Sequence, residues 1–226
     1  MKIGILLSGC GVNDGTEIQE AILSMLAIEE LGAEYICIGI NANQHHVINH
    51  ISGEEMPEER NMLIEAARIS RGNIVDIKTI QPVDIDALVI PGGFGSAKNL
   101  TTWAFNGAEC TILPEVKLLL VNLVNVGKPI AALCVSPVVL AKAFEGSKIK
   151  TTMTLGTTTE DSPYDIQSFE DEISKTGVKH SMKTIREIEI DTENKIISAP
   201  CYMMNASILD IKKNITTAIE ALMNLA

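Results

Sequence analysis

Positive charge is scarce in this chain of 226 residues: 18 Lys and Arg stand against 29 Asp and Glu, a formal net charge of -11 at pH 7. A phosphate backbone or an anionic membrane surface is repelled by such a protein, which sets aside nucleic acid and membrane as partners. Long apolar runs are missing as well. Polar residues and prolines interrupt every candidate before it reaches the roughly 20 residues of a membrane-spanning helix. The N-terminal run Lys2 to Leu7 passes into Ser8, Gly9 and Asp14 without a signal-cleavage pattern and reads as a first β-strand. Paired cysteines are also lacking. Cys10, Cys37, Cys110, Cys134 and Cys201 are odd in number and contain no Cys-x-x-Cys, against both a disulfide framework and a zinc ribbon. Reduced thiols and a cytoplasmic location are the expectation.

What the chain does have is an alternation of buried-strand and amphipathic-helix patterns. Apolar, β-branched segments bounded by turn residues lie at Lys2 to Leu7, Tyr35 to Ile40, Ala87 to Ile90 and Pro129 to Leu133. Thr16-Glu17-Ile18-Gln19 reads as a capping box opening a helix that ends near Gly32, with Ile18, Ala21, Ile22, Met25 and Leu26 as its buried face. Ile208, Ile211, Ile215, Ile219, Leu222 and Leu225 form a second stripe near the C-terminus. The alternation predicts a mainly parallel sheet covered on both faces, in one domain spanning 1–226. Residues 41–59, with three of the four histidines, read as a polar insertion before a helix from about Pro57 to Ser70. Thr157 to Thr176 reads as acidic, polar surface loops and short elements, followed by a hairpin near Glu187 to Ser198.

Ligands of open parallel sheets bind at the carboxyl ends of the strands, and three such ends are unusual. The turn Ser8 to Gly15 is glycine-rich enough to bring N–H groups close to an anion, although Asp14 stands where a dinucleotide fingerprint needs glycine. Pro91-Gly92-Gly93 breaks a buried strand and can aim N–H groups into a crevice or serve as a tight connection. The third end is Leu133-Cys134-Val135-Ser136-Pro137. Ser136 suits the cap and Pro137 the first position of the following helix, which leaves Cys134 in the strand-to-helix turn. There the helix N-terminus, carrying roughly half a positive charge, favours thiolate and lowers the cysteine pKa.

These features together resemble the PfpI/ThiJ group of the class I glutamine amidotransferase-like superfamily. Within it the chain resembles the ElbB family, known as sigma cross-reacting or isoprenoid-biosynthesis proteins with glyoxalase activity. The segments that carry the likeness span the chain: Ser8 to Val12, Asp14 to Ile18, Val47 to His50, Arg60-Asn61, Ala66 to Ile69, Pro91 to Leu100, and Asn194 through Pro200. The resemblance implies a flavodoxin-like three-layer α/β sandwich with a cysteine nucleophile elbow, usually dimeric. It also implies a first-helix glutamate against the elbow cysteine, matched here by Glu20, with Glu17 one turn earlier as second choice. On this reading Cys134 attacks methylglyoxal or glyoxal, Gly92, Gly93 and Val135 supply backbone N–H groups at the oxyanion, and Glu20 shuttles a proton. Glutathione, metal and nucleotide are not required. A homodimer acting on a small aldehyde or ketoaldehyde is the implied assembly.

One departure from the superfamily stands out. Its amidotransferases and proteases need a histidine, often directly after the cysteine, and Val135 occupies that place. His180, flanked by Lys179 and Ser181, reads as an exposed surface histidine. His46 and His50 are spaced to share a helix face with Glu54, but no third ligand is evident and no metal is expected. Cys10, Gly11, Cys201 and Asn205 fall where they can approach the crevice, a thiol among them as a resolving partner for Cys134. The missing histidine keeps a second reading open, in which an oxidisable Cys134 serves a noncatalytic redox-responsive or metabolite-binding protein.

Overall fold

The apolar segments assemble into nine strands and seven helices in the computed structural model, which describes all 226 residues. In chain order they are β1 (Lys2–Leu6), α1 (Ile18–Glu30), β2 (Glu34–Gly39), α2 (Met62–Ile69), β3 (Ile74–Asp76), β4 (Ala87–Ile90), α3 (Trp103–Asn106), α4 (Pro114–Asn125), β5 (Ile130–Leu133), α5 (Pro137–Phe144), β6 (Thr152–Met153), α6 (Ile166–Lys175), β7 (Lys179–His180), β8 (Glu189–Asp191), β9 (Ile196–Ala199) and α7 (Ile208–Leu225). Seven strands form one sheet in the order β3-β2-β1-β4-β5-β9-β8. Every neighbouring pair is parallel except β8 with β9. Strands β4, β5 and β9 are buried at every residue, as a sheet covered by helices on both faces requires. This is the flavodoxin-like sandwich. Its strand order reverses between β1 and β4, so a crevice opens at their carboxyl ends, beside that of β5.

Several expectations change. The cap of α1 is Glu17, whose carboxylate accepts from the N–H of Glu20 at 2.6 Å. The Thr16 hydroxyl instead accepts from Ser8 N–H at 2.7 Å, bracing the turn after β1. The buried face of α1 carries Glu20, Ala21, Ser24, Met25, Ala27 and Ile28, while Ile18, Ile22 and Leu26 lie exposed. That face packs against α7 and the sheet, so Ala21 and Met25 are buried as expected while the other three are not. On α7 the expected stripe holds at Ile211, Ile215, Ile219 and Leu222, whereas Ile208 is exposed. Helix α2 starts at Met62 under the cap of Asn61, which accepts from Leu63 and Ile64 N–H, so residues 57–61 are not helical. Ser136 holds the cap position of α5 without a capping bond: its hydroxyl donates to the Pro91 carbonyl at 2.7 Å, joining the turns after β4 and β5. The stretch 157–176, expected as surface loops and short elements, contains α6, whose Ile166 and Ile173 are buried.

Candidate active site

The nucleophile turn follows from how β5 ends. Cys134 leaves the strand with φ +57, a left-handed conformation costing a non-glycine residue roughly 1–2 kcal/mol. It is held there by its N–H donating to the Ala199 carbonyl at 2.9 Å. The side chain is thereby turned out of the sheet towards the end of β4. Gly92 lies against it: a Cβ there would fall 2.4 Å from Cys134 Cβ and 2.6 Å from Glu20 Oε2, so this position admits no side chain. Gly93, at φ +95, lets the chain pass equally close to the start of α1.

Glu20 reaches this point from α1. Its side chain is completely buried and accepts from Gly92 N–H at 2.7 Å and Tyr202 N–H at 3.3 Å. It also shares a hydrogen bond with the Cys134 thiol. Burial foremost, then the neighbouring charge of Glu17, raises the carboxyl pKa to about 8. Glu20 is therefore mostly protonated at neutral pH. Glu17, half-buried at the cap, does not contact the thiol. Gly92 uses its N–H on Glu20, so it holds the carboxyl group rather than an oxyanion. The N–H groups of Gly93 and Val135 point at the sulfur itself.

The expected lowering of the thiol pKa is reversed. Burial, and after it the charge of Glu20, pushes the Cys134 thiol well above the ordinary cysteine value. The two amides pull the other way, yet desolvation outweighs them. Thiol and carboxyl thus form a buried pair whose resting form is neutral.

Over the sulfur lies a free volume of about 20 Å³, room for about one water molecule. It is lined by Val12, Phe94, Tyr164, Phe169, Tyr202 and Met203 among others. Tyr164 and Phe169 come from the stretch expected to hold surface loops and short elements. The spacing of Ile166, Phe169 and Ile173 is the helical signal that marks it.

No protein-family model matches the chain. A human relative, glutamine amidotransferase-like class 1 domain-containing protein 3, mitochondrial, is 36% identical over 99% of this chain and 83% of its own length. The ES1 protein homolog, mitochondrial, of Rattus norvegicus is 35% identical over 99% of this chain and 84% of its own. This chain belongs to the ElbB/ES1 family of class I glutamine amidotransferase-like proteins. A crystal structure of an isoprenoid biosynthesis protein with amidotransferase-like domain from Ehrlichia chaffeensis, 34% identical, superposes over the full length of both chains with a TM-score of 0.89. The mitochondrial names of the curated relatives correct the cytoplasmic expectation. Unpaired thiols report a reducing environment, and that property does not single out the cytoplasm.

In this ElbB/ES1-family chain the remaining expected residues scatter. Cys10 is half-buried near Glu65, Arg68 and Asp14, on the α2 side. Gly11 packs against His50 and Asp14. In the glycine-rich turn around them four N–H groups bond within the protein: Ser8 and Gly11 to Thr16, Asn13 to His50 and Gly15 to Gly11. Asn205 lines an outer vestibule of about 410 Å³ together with Glu17, Gln19, Tyr164 and Tyr202. Cys201 does adjoin the elbow: at φ +44 and fully buried, it lies beside Cys134 and Glu20, and its thiol donates to Asn214 Oδ1 at 3.6 Å. His180 is not a surface residue. Its side chain is fully buried, Nε2 accepts from Leu155 N–H at 3.0 Å, and Nδ1 stands 3.7 Å from Glu170. Residues 41–59 contain no helix, so His46, His50 and Glu54 share no helix face. His46 stands 3.9 Å from Glu55 and His50 3.8 Å from Asp14 instead.

Proposed function

We propose that the protein is a glutathione-independent glyoxalase that converts methylglyoxal or glyoxal to lactate or glycolate. The supporting observation is the buried Cys134–Glu20 pair, in which a carboxyl group with a pKa of about 8 shares a hydrogen bond with the thiol. In the molecules whose Glu20 is ionised, the carboxylate takes the thiol proton as the Cys134 sulfur attacks the aldehyde carbon and passes it to the aldehyde oxygen, giving a hemithioacetal and leaving Glu20 a carboxylate again. Glu20, as carboxylate, then removes the proton on that carbon and returns it to the adjacent one, while the hydroxyl proton moves from the former aldehyde oxygen to the former ketone oxygen. The former aldehyde carbon becomes a thioester carbonyl and the former ketone carbon a carbinol. Water cleaves the thioester, releasing the hydroxy acid and restoring the thiol; the net change is addition of one water, with no external oxidant or reductant. The amides of Gly93 and Val135 stabilise negative charge on sulfur as the pair exchanges its proton.

A carboxyl group near pKa 8 suits this task, because it holds and releases a proton at comparable cost near neutral pH. The test is lactate formation from methylglyoxal without glutathione. Wild type should turn over, Cys134→Ser should not, and Glu20→Gln should fall by about 10²–10⁴. Full turnover by Cys134→Ser would show the mechanism to be wrong.

We also propose the homodimer that the family resemblance implies. The exposed row Ile18, Ile22 and Leu26 on α1 is apolar surface that pairing of two copies would cover. Sedimentation at the mass of a single chain would count against it.

A further inference from the structure

Two spaces meet at the same side chains. The small volume above the Cys134 sulfur and the outer vestibule of about 410 Å³ share Val12, Tyr164 and Tyr202 as lining. These side chains stand between solvent and sulfur. The two tyrosines are half-buried and held from separate directions. The Tyr202 hydroxyl donates to Gln19 on the exposed side of α1. Tyr164 meets the Phe94 ring edge-to-face with centroids 6.0 Å apart. The backbone holds them too: Ser162 Oγ donates to the Met203 carbonyl at 2.7 Å, tying the segment before Tyr164 to the turn that carries Tyr202. The vestibule therefore accommodates molecules much larger than the inner space does.

We propose that Tyr202 and Tyr164 are specificity-determining residues: a gate that limits access to Cys134 to unbranched two- and three-carbon aldehydes and rejects aryl and branched ones. This rests on the glyoxalase reading for the kind of substrate and on the geometry alone for its size. A small planar aldehyde needs only a modest rotation of one tyrosine ring, whereas a bulkier group must displace both rings and break the bond to Gln19. Tyr202 also binds Glu20 through its backbone, so the ring can turn about its side-chain bonds while the N–H stays on the carboxyl group.

The test uses thiol labelling, which needs no turnover and so reads the gate even if the aldehyde chemistry fails. Intact protein is treated with N-methylmaleimide or N-phenylmaleimide, reagents with the same reactive group, and labelling of Cys134 and of half-buried Cys10 is followed by peptide mass. In wild type the small-to-large rate ratio at Cys134 should exceed that at Cys10 by about tenfold or more, the scale of steric discrimination in a packed pocket. Tyr202→Ala and Tyr164→Ala should each bring the two ratios within about threefold of one another, while Tyr202→Phe, which keeps the ring, should retain the difference. Equal ratios in wild type overturn the gate. So does an unchanged ratio in whichever alanine variant folds.

Discussion

Replacing Glu20 by glutamine should remove most of the protein's pH-dependent loss of stability between about pH 5 and pH 8. Glu20 has an ordinary pKa of 4.5 when exposed and about 8 in the folded protein. A folded-state pKa raised this far means that the native state holds a proton that the unfolded chain has released. Stability is thus full below the unfolded value and falls as pH rises towards the folded one. Integrated over the two titrations, the fall from pH 5 to pH 8 is about 3–4 kcal/mol, a large share of the roughly 5–15 kcal/mol of a typical domain. Glutamine is nearly isosteric and does not titrate; its carbonyl oxygen accepts from Gly92 N–H, while its amide NH2 takes the place of the oxygen that Tyr202 N–H bonds, a cost that is the same at every pH. Urea unfolding of wild type and Glu20→Gln at about pH 5, 6, 7 and 8 measures the effect. The two stabilities should diverge by about 3–4 kcal/mol across the series, the variant's profile being the flatter. Parallel profiles would refute the claim that burial holds this carboxyl group protonated.

Other outcomes follow from the same geometry. Gly92→Ala places a Cβ 2.4 Å from that of Cys134 and should cost about 1–3 kcal/mol by thermal unfolding, together with most of the turnover. Asn214 on α7 accepts from Cys201 N–H at 3.0 Å and donates to the Glu187 carbonyl at 2.9 Å. Asn214→Ala should therefore destabilise by about 1–3 kcal/mol in urea titrations and slow turnover by loosening the turn that carries Tyr202. Methylglyoxal turnover should rise with pH and level off above about 8, the value at which Glu20 becomes a carboxylate. In Glu20→Gln that inflection should vanish from the pH–rate profile of the residual activity.

The sheet was legible in the sequence because β1, β2, β4 and β5 are continuous apolar runs bounded by glycine, proline or polar residues. The elbow was legible for a related reason: a cysteine between such a run and Ser136-Pro137 has few conformations open to it. Helix α1 shows where pattern misleads. Three of its large apolar residues, Ile18, Ile22 and Leu26, repeat every four positions and yet face outward, while a glutamate and a serine lie buried beside Met25 and Ile28. What makes burial of Glu20 tolerable are N–H groups 72 and 182 residues away in sequence, beyond the reach of local periodicity. The same holds for His180, whose flanking Lys179 and Ser181 suggest exposure although its ring is packed beside Leu155. The aromatic roof escaped notice because acidic residues on the outer face of α6 mask the inward spacing of Ile166, Phe169 and Ile173.

Glu20, Gly92, Cys134 and Tyr202 arrive from four widely separated parts of the chain. During synthesis the thiol must therefore wait, without its carboxyl partner fully bonded, until the Tyr202 turn has left the ribosome and α7 can dock behind it. Proteolytic nicking anywhere between Glu20 and Tyr202, followed by separation of the pieces, leaves no fragment with a complete centre. The chemistry belongs to the finished chain and to none of its parts.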